Sequence, residues 1–157
     1  MMKLITLTAT ALLLSTAASF ADGTHAHDDD WEVGRPGNAA EVGRSIEITM
    51  FEPEAGGMAF EPSELSIALG ETVRFVVTNV GFLDHEIVFD TEEANAEHAA
   101  VMQANPDMKH DDPNAISLAP GESGELIWTF SQAGTFQFAC LIGGHMEAGM
   151  HGPVSVN

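Results

Sequence analysis

The sequence predicts an all-β sandwich with one short helical insert. Three observations lead there. Short runs rich in β-branched and aromatic residues recur from Ser45 to the C-terminus, with turn residues between them. One stretch, Asp90 to Asn105, breaks that rhythm with Ala, Glu, Met and Gln. The last two strand signals bracket a loop in which Cys140, His145 and Met150 stand at equal intervals. The chain has 157 residues, enough for one domain with a real core, and shows no internal repeat and no second domain.

The elements follow in chain order. Lys3 and the apolar run Leu4 to Ala18 read as a secretory signal, too short and too lightly flanked to span a bilayer. Cleavage is expected after Ala21, so residues 1–21 are the signal peptide and the mature chain is exported. Residues 22–43 are polar, with scattered Gly, Pro, Asn and Asp and no apolar period, and read as a flexible acidic tail. The folded domain is expected over residues 44–157. Ser45 to Met50 alternates as a strand should; Phe51 to Pro62 reads as a loop on its Gly and Pro content. Strands are expected at Leu65 to Leu69 and Thr72 to Asn79, and again from Glu86 to Phe89 after the break at Gly81. Thr91 caps the helical insert, with Glu92 and Glu93 in its first turn and Asn105 ahead of Pro106 at its end. Ala115 to Leu118, Gly124 to Phe130, Thr135 to Ala139 and Pro153 to Val156 complete the strands.

The charge narrows the partners. There are 24 Asp and Glu against 5 Lys and Arg, a formal net charge of −19. Such a surface repels nucleic acid and anionic lipid, and attracts cations and basic proteins. It also serves as a plain solubility device. No nucleic-acid partner and no stable membrane insertion are expected, and the protein reads as a monomer.

The lone cysteine of an exported protein has no internal disulfide partner. Taken singly, Cys140 reads as a small buried hydrophobe, Met150 as core filler and His145 as a turn residue. Together, on one loop between two strands, they read as metal ligands. Zinc accounts for Cys and His but not for Met. Soft sulfur with imidazole nitrogen and a weak axial thioether is the donor set of an electron-transfer copper site, and such a set needs a second His from elsewhere in the chain.

This Cys140-x4-His145-x4-Met150 clip resembles that of the cupredoxins, the small copper proteins that include plastocyanin and azurin. The resemblance covers roughly Ser45 to Asn157. It implies a Greek-key sandwich holding one type 1 copper ion, with Cys140 as thiolate ligand, His145 and His85 as the imidazoles and Met150 as the long axial contact. Two positions depart from the family pattern. Cupredoxins commonly carry Asn after the upstream His and Ser or Thr after the Cys, and these tie the two ligand loops together; Glu86 and Leu141 stand there instead. The hydrogen bonds around the site tune its potential and colour, so neither is carried over from the family. His151 is read as an exposed loop residue, because its side chain leaves the strand on the opposite face from Met150. His98 and Met102 share a helix face; core filling by Met102 is preferred to a Cu(I)-collecting surface.

Three functions compete. The resemblance is strongest to the small periplasmic cupredoxins associated with copper tolerance, which bind or oxidise surplus copper. The alternative is a soluble carrier passing single electrons to a cytochrome or another basic redox protein. A copper enzyme of the nitrite reductase or multicopper oxidase kind needs a second centre with several converging histidines, and seven histidines in all leave too few, so no enzyme is expected beyond a weak cuprous oxidase activity. The tail offers an additional weak copper site at His25 and His27 beside Asp28, Asp29 and Asp30. That site predicts more than one copper per mature chain, reduced to one by His25→Ala with His27→Ala; metal analysis of the purified protein checks it.

Overall fold

The computed structural model describes residues 31–105 and 112–157. They form ten strands, one α-helix and a short 3-10 turn at Ala39–Glu41. The strands are β1 (Arg35–Pro36), β2 (Arg44–Phe51), β3 (Ala59–Glu61), β4 (Leu65–Ile67), β5 (Thr72–Asn79), β6 (His85–Asp90), β7 (Ala115–Leu118), β8 (Ser123–Thr129), β9 (Gly134–Ala139) and β10 (His151–Val156). They make two five-stranded sheets, ordered β1-β8-β5-β2-β3 and β4-β10-β9-β6-β7. The pairs β2/β5 and β4/β10 are parallel and the rest antiparallel. This is the β-sandwich the strand pattern predicts.

Alternation explains the core. Val73, Phe75 and Val77 of β5 point to one side, as do Ile48 and Met50 of β2 and Leu126 and Trp128 of β8. They meet Ile87, Phe89, Phe138, Val154 and Val156 from the other sheet in one cluster, which also contains Cys140 and Met150. Phe75 stacks on Phe89 at 4.6 Å between ring centres, and Phe60 meets Phe138 edge-on at 5.1 Å. A packed aromatic core resists deformation at the strand ends, which is where a rigid site must sit.

Helix α1 (Glu92–Ala104) fills the expected insert. The Thr91 hydroxyl accepts the Ala94 N–H, and Glu92 and Glu93 lie in the first turn, favoured by the helix dipole. Ala99 and Met102 pack on Val88, Ala139 and Leu141, so Met102 is core and not part of a collecting surface.

Two expectations change. The stretch Phe51 to Pro62 contains β3, which pairs with the end of β2 through Met50 and Phe60. Its three residues are too few for alternation to stand out among the neighbouring glycines and prolines. Within the tail expected to be flexible up to Gly43, Trp31, Val33 and β1 lie against the body. Val33 is fully buried, Trp31 meets Trp128 edge-on at 5.5 Å, and β1 pairs with β8. Its burial is carried by isolated residues, which leave no periodic signal. Gly34 is needed where the chain passes Trp128: its φ is +144°, and a Cβ there would overlap the carbonyl of Thr129. The candidate tail site at His25 and His27 lies outside the described residues. Trp31→Ala is expected to lower stability by about 1–2 kcal/mol in urea unfolding, as loss of a packed aromatic pair does; a loose tail would give no change.

Candidate metal centre

The site is assembled from two neighbouring strands of one sheet. β6 pairs antiparallel with β9 through Val88↔Ala139, Phe89↔Phe138 and Asp90↔Gln137. His85 begins β6, and Cys140 follows the last residue of β9. Past Val88 and Ala139 the backbone ladder stops and side chains carry it on. The Glu86 N–H points to Cys140 Sγ at 3.5 Å, and the Glu86 carboxylate accepts the Leu141 N–H at 3.0 Å. Ser117 of β7 donates to the other Glu86 oxygen at 3.2 Å. The two loops are therefore tied by the Glu86 carboxylate, in place of the Asn and Ser or Thr of the family pattern. Leu141 needs no polar side chain, because its backbone N–H is the donor.

The loop from Cys140 to Met150 is closed on itself. Cys140 N–H donates to the Met150 carbonyl, Met150 N–H to the His145 carbonyl, and His145 N–H to the Ile142 carbonyl. Gly144 and Gly149 take φ of +88° and +101°, the left-handed region that lets so short a loop turn twice. At the other side, buried Asn79 shapes the approach to His85. Its amide donates to the carbonyls of Leu83 and Leu118, and its oxygen accepts the Gly81 N–H.

The result is a convergence of three donors. His85 Nδ1 lies 3.3 Å from His145 Nδ1, which lies 3.3 Å from Cys140 Sγ. All three residues are buried, and a ligand atom from each lies within 4.8 Å of the others. Met150 is fully buried in the same core cluster as Cys140. A thiol and two imidazoles gathered so closely fit a soft transition ion with few ligands, as copper is. His151 is exposed at the start of β10, and His98 lies on α1; neither belongs to this group.

Burial pushes the Cys140 thiol from an ordinary 9.0 up to about 12, against the pull of the Glu86 and Ile142 N–H groups. Burial lowers His145, and the neighbouring His85 lowers it further, while Glu52 opposes them. Glu52, just past β2, is a part of the site that sequence reasoning missed. Burial alone would raise its carboxyl, but the N–H groups of Phe82 and Leu83 and the His85 ring hold it below its ordinary range. Its partners lie some thirty residues downstream, so no local spacing signals them.

The chain matches the copper-binding proteins of the plastocyanin/azurin family over residues 48–157. It belongs to that family. The copper-resistant cuproprotein CopI of Rubrivivax gelatinosus is 48% identical over 134 residues, covering 85% of this chain and 79% of its own. CopI of Pseudomonas aeruginosa is 38% identical over 152 residues, covering 78% and 81%. Among solved structures, the reduced auracyanin of the photosynthetic bacterium Roseiflexus castenholzii superposes with a TM-score of 0.62 at 25% identity, covering 74% of this chain and 98% of its own. This cupredoxin is thus a copper-binding protein with a β-sandwich fold.

With the thiol protonated through the neutral range, binding of a cuprous ion at Sγ would have to displace one proton. His145, held low, has none to give above neutrality. Apparent Cu(I) affinity is therefore expected to rise about tenfold per pH unit between about pH 7 and 9, measured by competition with a chromogenic chelator. A flat profile would mean that the sulfur is not a ligand.

Proposed function

We propose that this cupredoxin protects an exported compartment against surplus copper by binding one type 1 copper ion, which His85, His145 and Cys140 would hold with Met150 as a further sulfur donor. The observation that carries the reading is the meeting of these three buried donors in a chain 48% identical to a protein named for copper resistance. Bound copper supplies a one-electron couple; the chain's residues fix its surroundings. Cys140 and His145 are held by a loop bonded to itself, and His85 by the strand beside it, so the donor positions change little when an electron moves. The N-terminal signal supports export to the periplasm with cleavage after Ala21. Among the described residues no helix is long and apolar enough to cross a membrane. The acidic surface favours free copper ions and basic proteins as partners, and the chain acts as a monomer. A weak cuprous oxidase activity is compatible with a single such ion.

A second reading, a soluble electron carrier to a cytochrome or reductase, is favoured by the loop ahead of His85. Phe82 is 87% exposed there, with Val80 and Leu83 also exposed. Apolar side chains held in water beside a redox site suit brief docking.

Deletion of the gene is expected to make cells copper-sensitive without loss of respiration; the reverse outcome would favour the carrier. In the protein, Cys140→Ser is expected to abolish the intense visible absorption of the Cu(II) form while circular dichroism keeps the fold. Colour retained in that variant would assign the sulfur ligand elsewhere.

A further inference from the structure

The two nitrogens of His85 meet different surroundings. Nδ1 faces the His145 ring, as described. Nε2 lies 3.0 Å from Glu52 Oε1. The same oxygen accepts the Leu83 N–H at 3.1 Å, and Oε2 accepts the Phe82 N–H at 2.9 Å. The chain approaches this carboxylate closely at Gly81, where any Cβ would overlap Glu52 Oε2. Three donors, two from the loop and one from the first residue of β6, thus converge on a side chain that is largely out of solvent, at 18% exposure.

We infer that Glu52 is the positioning residue of the copper site: it holds His85 in the Nε2–H tautomer with Nδ1 turned inward as donor, and its charge favours Cu(II) over Cu(I). The first half follows from donor and acceptor roles. An ionised carboxylate only accepts, so the ring nitrogen beside it must carry the hydrogen. A neutral imidazole has one N–H, which leaves the lone pair on Nδ1. A carboxylate behind a ligating histidine fixes the ring's orientation and raises its basicity. The second half follows from charge. Cu(II) with one thiolate and two neutral imidazoles is a net cation, whereas Cu(I) with the same ligands is neutral. An anion one ring's width away stabilises the former more. Among the described residues no carboxylate is hydrogen-bonded to the His145 ring, so the two imidazoles are held unequally.

The charge half rests on the copper reading above; the tautomer half does not. Glu52→Gln and Glu52→Ala separate them. Glutamine keeps one oxygen for Nε2–H and Leu83 and loses the charge. Long-range 15N–1H NMR of the metal-free protein is expected to give the Nε2–H form of His85 in wild type and Glu52→Gln, and a mixture in Glu52→Ala. Voltammetry is expected to give Glu52→Gln a preference for Cu(II) about tenfold weaker, a rise in potential of about 59 mV. A wild-type His85 protonated at Nδ1, or a Glu52→Gln potential equal to or below that of wild type, would overturn the inference. If wild type takes up copper without thiolate-to-copper absorption, the copper reading fails, and the tautomer alone still decides whether Glu52 positions the ring.

Discussion

The pairing of β6 with β9 is the constraint on which the site depends. It sets Val88 opposite Ala139, and so brings the start of one strand and the end of the other to the same rim of the sandwich. A slip of one residue would turn Cys140 away from the core and out of reach of His85. The register is fixed from below, because Ile87, Phe89 and Phe138 must all face the aromatic core. The packing of large apolar side chains thus fixes the position of a handful of polar ones.

At the rim, polar groups take over where the ladder ends. Glu86 is buried at 3% exposure, costly for a carboxylate unless its oxygens are met. They are met, by Leu141 N–H and Ser117 Oγ, and the carboxylate becomes a strut between the loops. Glu52 acts from the other sheet in the same manner, gathering Phe82, Leu83 and His85. The site is braced from both sheets. The same burial that stiffens it raises the Cys140 thiol, so the metal-free protein keeps a protonated, unreactive sulfur.

Over residues 48–157 the chain carries the sequence pattern of the plastocyanin/azurin family. Within it, the acidic surface and the exposed Phe82 bear on who meets the site, while the braces bear on what the site does once loaded.

By itself the sequence determined the sandwich, the capped helix and the Cys140–His145–Met150 clip. Each is a local pattern: alternation along a strand, a Thr91 cap, or ligand spacing on one loop. His85 was legible through the family resemblance, since nothing local marks one histidine among seven. Tertiary structure alone decided that Trp31 and Val33 belong to the body, that β3 pairs with β2, and that Glu86 replaces the missing loop tie. It alone brought Glu52 to His85. Apart from the β2–β3 pairing, those contacts join residues more than thirty positions apart, and only the pairing and packing of strands brings such residues together.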